Sequence, residues 1–311
     1  MRILVTGGAG FIGSHIVDAC CNAGHATSIL DDLSTGRKEN LNPRATFVEG
    51  DVRDRDLVSR ILREGKIEVI FHQAAQIDVR RSVTDPVFDA SVNILGALTL
   101  FEAALRQGVR RVVFASSGGA IYGEQDYAPA DERHPTRPIS PYGIAKLVTE
   151  QYLYYYHVVH GMHIVNLRYA NVYGPRQSPE GEAGVVAIFT SKMLKGEQPV
   201  INGDGKQTRD YVFVGDVVRA NLLALDREGW NIYNVGTGIE SDVNRIFTTL
   251  RRLTGAACDK QHGEAKKGEQ LRSVLDNGRI SEELNWKPTT DLEEGLHLTV
   301  EYFRASRRHA S

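Results

Sequence analysis

The chain predicts an α/β fold, a doubly wound parallel sheet with a smaller C-terminal substrate-binding region, and two observations carry that prediction. The apolar run Ile3-Leu4-Val5 leads into Gly7-Gly8-Ala9-Gly10-Phe11-Ile12-Gly13 and then a helix-like stretch to Ala23, giving strand, glycine turn and helix in that order. β-rich runs then alternate with amphipathic helical stretches as far as Arg168, the pattern of strands joined through helical crossovers.

Taken in order, residues 27–30 read as the second strand, ended by Asp31. Residues 67–72 read as a strand, 86–107 as a helix, and 109–115 as a strand whose buried end, Val112 to Ala115, runs into Ser116-Ser117. Pro141 suits the first turn of the next helix, and residues 164–168 make another strand. Beyond Gly174 the pattern shortens. Asn202-Gly203-Asp204-Gly205 reads as a turn, after which the chain is expected to return to the sheet at 211–214 and 230–235.

The glycines point to a ligand. Gly7 and Gly8 allow a tight turn, Gly10 lets the backbone approach a diphosphate, Gly13 lets the helix pack close, and N–H groups at the helix start face the anion. Asp31 lies about 20 residues beyond them, where a carboxylate accepts hydrogen bonds from the adenosine ribose. This favours NAD over NADP, because adjacent Asp31 and Asp32 repel a 2′-phosphate; Arg37 and Lys38, past a turn at 34–36, are the cations that would greet one. Tyr142 and Lys146 are four apart and share a helix face. A free tyrosine titrates near ~10, so a lysine cation and a cationic nicotinamide are needed to favour phenolate. A lone Tyr-x-x-x-Lys is usually a solvated helix face. Following a nucleotide fingerprint and a strand-end serine pair, it reads instead as the chemistry of a redox site.

Composition narrows the class. The 311 residues are 41% hydrophobic with a formal charge of −2, enough for a large core and wrong for a nucleic-acid partner. Cys20, Cys21 and Cys258 have no paired or metal-like spacing, and His157 and His160 lack a placed third ligand, so no metal is expected. The first strand follows Met1 almost at once and no apolar stretch approaches a membrane span of ~18 residues, so a cytoplasmic protein without a membrane partner is expected.

Read with Asp51-Val52, His72-Gln73-Ala74-Ala75, Asn93, the run from Leu167 to Arg176, Arg209-Asp210-Tyr211-Val212 and Tyr233-Asn234-Val235-Gly236, the chain resembles the extended short-chain dehydrogenase/reductase family over nearly its whole length. Within that family it is most similar to the UDP-galactose 4-epimerases. The resemblance implies a Rossmann domain from residues 1–173 with 210–236, and a nucleotide-sugar region from 174–209 with 237–311. It implies NAD held by Gly7, Gly10, Phe11, Ile12, Gly13, Asp31, Asp32, Asp51, Val52, Ala74, Ala75, Asn93, Tyr142, Lys146 and Tyr169. It places Asn171, Val186, Arg209 and Tyr211 on UDP, with Lys266 where a diphosphate-binding arginine is common and Glu269 where an aspartate usually meets the uridine ribose.

The implied mechanism makes Tyr142 the base at the sugar 4-hydroxyl, with Ser117 relaying the proton and Ser116 its alternative. Hydride leaves C4 for NAD and returns to the opposite face of a 4-keto sugar. Ser273 falls at the family's gatekeeper position. A small residue there implies that UDP-N-acetylhexosamines enter as well as UDP-glucose and UDP-galactose. The family's 4,6-dehydratases carry an Asp-Glu pair where Gly118-Gly119 stand; a UDP-glucuronate epimerase or decarboxylase would use Arg80 or Arg81 for the carboxylate; a non-catalytic NAD-sensing protein would not need Ser117, Tyr142 and Lys146 together. The resemblance further implies a homodimer through the 86–107 and 141–160 helices.

Overall fold

Runs of apolar and β-branched residues form β1 (Arg2–Thr6), β2 (Ala26–Asp31), β3 (Thr46–Glu49), β4 (Val69–His72), β5 (Arg111–Ser117) and β6 (His163–Tyr169), in a computed structural model that describes residues 1–180, 184–265 and 270–308. The chain continues through β7 (Asn171–Tyr173), β8 (Val200–Asn202), β9 (Thr208–Phe213), β10 (Trp230–Val235), β11 (Glu240–Asp242), β12 (Gln261–Gly263) and β13 (Arg272–Ser273). Seven strands make one parallel sheet in the order β10-β6-β5-β4-β1-β2-β3. Strand order reverses direction between β1 and β4, which opens a crevice at their carboxyl ends.

Helices cover both faces, so the strands read as apolar runs rather than as alternating ones; all four residues of β4 are buried. The Phe11–Asn22 and Val214–Leu223 helices pack on one face around Ile16, Val17, Val217 and Ala220. On the other, Leu100, Phe101 and Leu153 come from the Pro86–Arg106 and Pro141–His160 helices. Each such side chain contributes about 1.5–3 kcal/mol through burial. A second core, around Tyr173, Val186, Phe189, Phe247 and Leu296, supports the C-terminal part.

Three expectations are corrected. β9, expected to rejoin the main sheet, instead centres a small four-stranded one, flanked by β11, by β13 and in parallel by β7. β7 follows β6 after a single residue, and pairing with it draws β9 off the main sheet. The 86–107 helix ends at Arg106 and contains a π-helical stretch, Ser91–Gly96, a form that clusters at functional positions. That same helix is, among the described residues, long and apolar enough by composition to cross a membrane, with mean hydropathy 1.4. Its Ala97, Leu100, Phe101, Ala103 and Ala104 are spent on packing against the protein's own core.

Candidate active site

The glycine turn joins β1 to the first helix at the crevice. Gly7 has φ +71°, and a side chain there would lie 2.7 Å from the Ala74 nitrogen; one at Gly13 would lie 2.1 Å from the Gly7 carbonyl. Only bare backbone lets turn, helix and post-β4 segment close together. The helix that follows starts at Gly10 with no side-chain cap and no acid in its first turn, so its terminal N–H groups suit a diphosphate. Phe11 and Ile12 are half-buried at that start, Ile12 against the core. This cradle fits NAD.

Asp31, buried at the end of β2, accepts from the Ala9 and Leu33 N–H groups, each at 2.9 Å. Burial pushes its carboxyl up from the ordinary range, and those bonds pull it back. Asp32 turns outward, accepting from the Ser34 N–H at 2.9 Å and hydroxyl at 2.6 Å. The cations that would meet a 2′-phosphate face acids instead: Lys38 lies 3.2 Å from Glu49 and Arg37 3.9 Å from Glu180. Asp31→Ala is therefore expected to erode the preference for NAD over NADP by about tenfold or more, the worth of a hydrogen bond to a charged group. Binding constants for both dinucleotides check it, and an unchanged ratio removes Asp31 from the ribose.

Around the crevice, Asp51 holds Arg53 through two guanidinium nitrogens, Nε and Nη2, and buried Val52 packs beneath Gly96. Ala74 and Ala75 line the segment after β4, with the Ala74 N–H donating to Thr6 Oγ1 at 3.3 Å. Asn93, expected in the cofactor channel, commits its amide to the wall: Oδ1 accepts from the Gln76 N–H, and Nδ2 donates to the Gln76 carbonyl and to Asp89 Oδ1, all at 2.9 Å. Tyr169 is buried on β6, its hydroxyl 2.8 Å from Asn221 Nδ2 and 3.4 Å from Gln73 Nε2.

The Pro141–His160 helix begins on a Ser140 cap with Pro141 at its first position and ends on left-handed Gly161, so both ends are fixed locally. Three residues spaced by four then meet the last three of β5. Tyr142 faces Ser117, Lys146 Nζ donates to the Ala115 carbonyl at 2.8 Å, and Ser116 Oγ donates to Glu150 Oε1 at 2.6 Å. Ser116 is thereby committed to structure, and Ser117 faces the tyrosine.

Within the protein alone, burial outweighs the groups that favour a Tyr142 phenolate. It pushes Tyr142 up to about 12 despite the nearby Ser117, and pulls Lys146 down to about 8, with its Nζ 5.8 Å from the Tyr142 ring. A cationic nicotinamide bound here would act together with the Lys146 charge to lower the tyrosine.

Across the cleft, Asn171 registers with Tyr211 and Ser273 with Arg209, so these four side chains share one face of the small sheet. A side chain at Gly119 would sit 3.7 Å from Asn171 Oδ1 and 4.0 Å from Ser117 Oγ, which puts both residues around one space. Val186, 1% exposed, packs into the C-terminal core on the first turn of the Val185–Lys195 helix. Ser273 is buried beside a strap held by Gln125, whose amide accepts from the Val274 N–H at 3.1 Å and donates to its carbonyl at 3.0 Å. Lys266 and Glu269 lie outside the described residues. Arg81 lies over the Phe88 ring at 3.9 Å, and His157 Nδ1 is 2.8 Å from the Met162 carbonyl. A basic cavity of about 490 Å³ among Arg2, Arg63, Lys66 and Arg110 is at the opposite end of the sheet and plays no part here.

Sequence reasoning missed Glu150, Arg168, Asp89 and Asn221. Arg168 Nε and Nη2 donate to Glu150 at 3.0 and 2.6 Å, both residues fully buried, and Arg168 Nη1 donates to Tyr122 Oη at 3.0 Å. The spacing of Glu150 from Lys146 was the available signal.

The NAD dependent epimerase/dehydratase family matches residues 3–236. The chain is 48% identical to the UDP-glucose 4-epimerase of Mycolicibacterium smegmatis over 98% of its length and 99% of that protein. Among solved structures it matches UDP-glucose 4-epimerase of Thermotoga maritima with UDP-glucose at TM-score 0.97 and 49% identity, covering 99% of this chain and 100% of that one. It also matches the Thermus thermophilus enzyme in complex with NAD at TM-score 0.94 and 45% identity, covering 98% and 100%.

Proposed function

The chain belongs to the NAD dependent epimerase/dehydratase family, and on that footing we propose that it inverts C4 of a UDP-hexose, interconverting UDP-glucose and UDP-galactose through a 4-keto sugar. The observation that carries this reading is the contact of Tyr142 with Ser117, beside buried Lys146 and facing the space shared with Asn171.

Gly7, Gly10, Gly13 and Asp31 hold NAD, which when bound supplies reversible two-electron oxidation at C4. Tyr142 as phenolate takes the 4-hydroxyl proton, Ser117 beside it relays that proton, and Lys146 favours the phenolate through its charge. Asn171, Val186, Arg209 and Tyr211 keep UDP fixed while the keto sugar turns over. The proton then returns from Tyr142 to the oxygen on the inverted carbon, so the cycle has no net redox change. A dehydratase acid at Gly118 would need Leu275 to move, since a side chain there would lie 2.5 Å from its Cδ1. The seven-stranded sheet and its helices are assigned to NAD, and the small sheet of β7, β9, β11 and β13 with the C-terminal core to the sugar nucleotide.

Incubation with UDP-galactose and separation of the products tests the reading; no UDP-glucose overturns it. The small Ser273 supports acceptance of UDP-N-acetylglucosamine too. Ser273→Tyr is expected to remove that activity selectively, and measuring both substrates in both proteins checks it; equal loss of the two places the gate elsewhere.

A cytoplasmic homodimer is part of the same proposal. Ile144, Tyr152, Tyr155 and Val159 form an exposed stripe at helical spacing, and Val87 and Leu95 are exposed on the neighbouring helix, a patch suited to a second copy of this surface.

A further inference from the structure

Asp89 is 1% exposed, and the proposed mechanism does not use it. Its Oδ1 accepts from Gln76 Nε2 and Asn93 Nδ2, both at 2.9 Å; these are neutral amides that satisfy its hydrogen bonding and leave its charge unmatched. Lys146, 4% exposed, has the converse situation, since its bond goes to a neutral carbonyl. The other nearby carboxylate, Glu150, is taken by the bidentate Arg168 guanidinium. Arg168 and Glu150 close into an ion pair at 2.6 Å, whereas Lys146 and Asp89 make no such direct contact and are the two buried charges left over. They stand on helices joined through Asn93, whose amide donates to Asp89 and whose carbonyl accepts from Thr149 Oγ1 at 3.1 Å; an uncompensated buried charge is expensive. Resting on the function proposed above, we propose that Asp89 is a positioning residue for this chemistry, the buried counter-charge of the Lys146 ammonium beside Tyr142.

The surroundings agree. The helix carrying Asp89 packs on the Pro141–His160 helix. Facing Lys146 are His72 from β4, Tyr142 and Glu150 from its own helix, and Asp89; His72 is held neutral by burial, with its pKa about 3. Burial lowers Lys146, and Asp89 then Glu150 oppose it. Burial raises Asp89, and Gln76, Lys146 and Asn93 oppose that. Asp89 also disfavours the Tyr142 phenolate, so its removal moves both groups toward lower pKa.

Asp89→Asn keeps the shape and an acceptor while removing the charge. Lys146 then loses its proton at lower pH, and the high-pH limb of the kcat profile is expected to shift down by about one pH unit. The second measurement needs no substrate: melting temperatures of wild type, Asp89→Asn, Lys146→Met and the double variant. Asp89→Asn should lower Tm in the wild type and raise it in the Lys146→Met background, where Asp89 is orphaned. An unmoved limb, or equal Tm losses in both backgrounds, overturns the pairing; if Asp89→Asn alone fails to fold, a folded double variant supports it and an unfolded one overturns it. Absence of epimerase activity with the Tm inversion intact would overturn the function and leave the pairing standing.

Discussion

Tyr142→Phe is expected to cut turnover of UDP-galactose by about 10²–10⁴-fold, the usual cost of losing a general base, while NAD stays bound. The substitution removes one hydroxyl, the group that faces Ser117. The ring itself remains, as do the glycine cradle and Asp31, so the cofactor loses little. Measuring kcat beside the NAD content of the purified protein separates the two effects. Activity within tenfold of wild type would sink the assignment, and loss of NAD in parallel would show that the ring, rather than the proton, was the loss.

The largest effect on stability is expected from Arg168→Met. Its guanidinium makes two bonds to Glu150 and one to Tyr122, whose own hydroxyl donates to Asn234 Oδ1 at 2.7 Å, all in the interior. Removing it leaves Glu150 charged and buried with Ser116 as its remaining direct donor. Breaking such a pair costs about 3–5 kcal/mol, to be read from denaturant unfolding. Adding Glu150→Gln removes the stranded charge, so the double variant should recover part of the loss. Strictly additive losses would show that the two residues do not act as a pair.

Much of this was legible in the sequence because spacing fixes it. Gly7 to Gly13 and the Tyr142–Lys146 interval mean the same thing wherever the helix goes, and the first strands announce themselves as apolar runs. The choice between Ser116 and Ser117 was different in kind. Neighbouring strand residues face opposite ways, and only the packed Pro141–His160 helix shows which one meets Glu150 and which meets Tyr142. β9 was placed in the wrong sheet for a similar reason: its residues suit a strand, and its partner, β7, is set by tertiary structure. Nothing in the sequence set Asp89 apart from other acids in a first helical turn; its burial does.

The strap through Ser273 bears on how the protein is made. The Ala130 N–H donates to the Val274 carbonyl at 3.0 Å and the Asp276 N–H to the Ala130 carbonyl at 2.8 Å, joining it to the segment that leaves the sheet just after Ser117. On the ribosome, every strand of the large sheet has emerged once Val235 is out, yet the wall beside Ser117 waits for residues some forty positions later. A chain stalled in that interval owns its glycine cradle and its tyrosine but has no sugar pocket. The sugar-side wall is thus built after the sheet it stands on, and the large sheet's own core also waits, since Ile280 and Trp286 pack into it from beyond the strap.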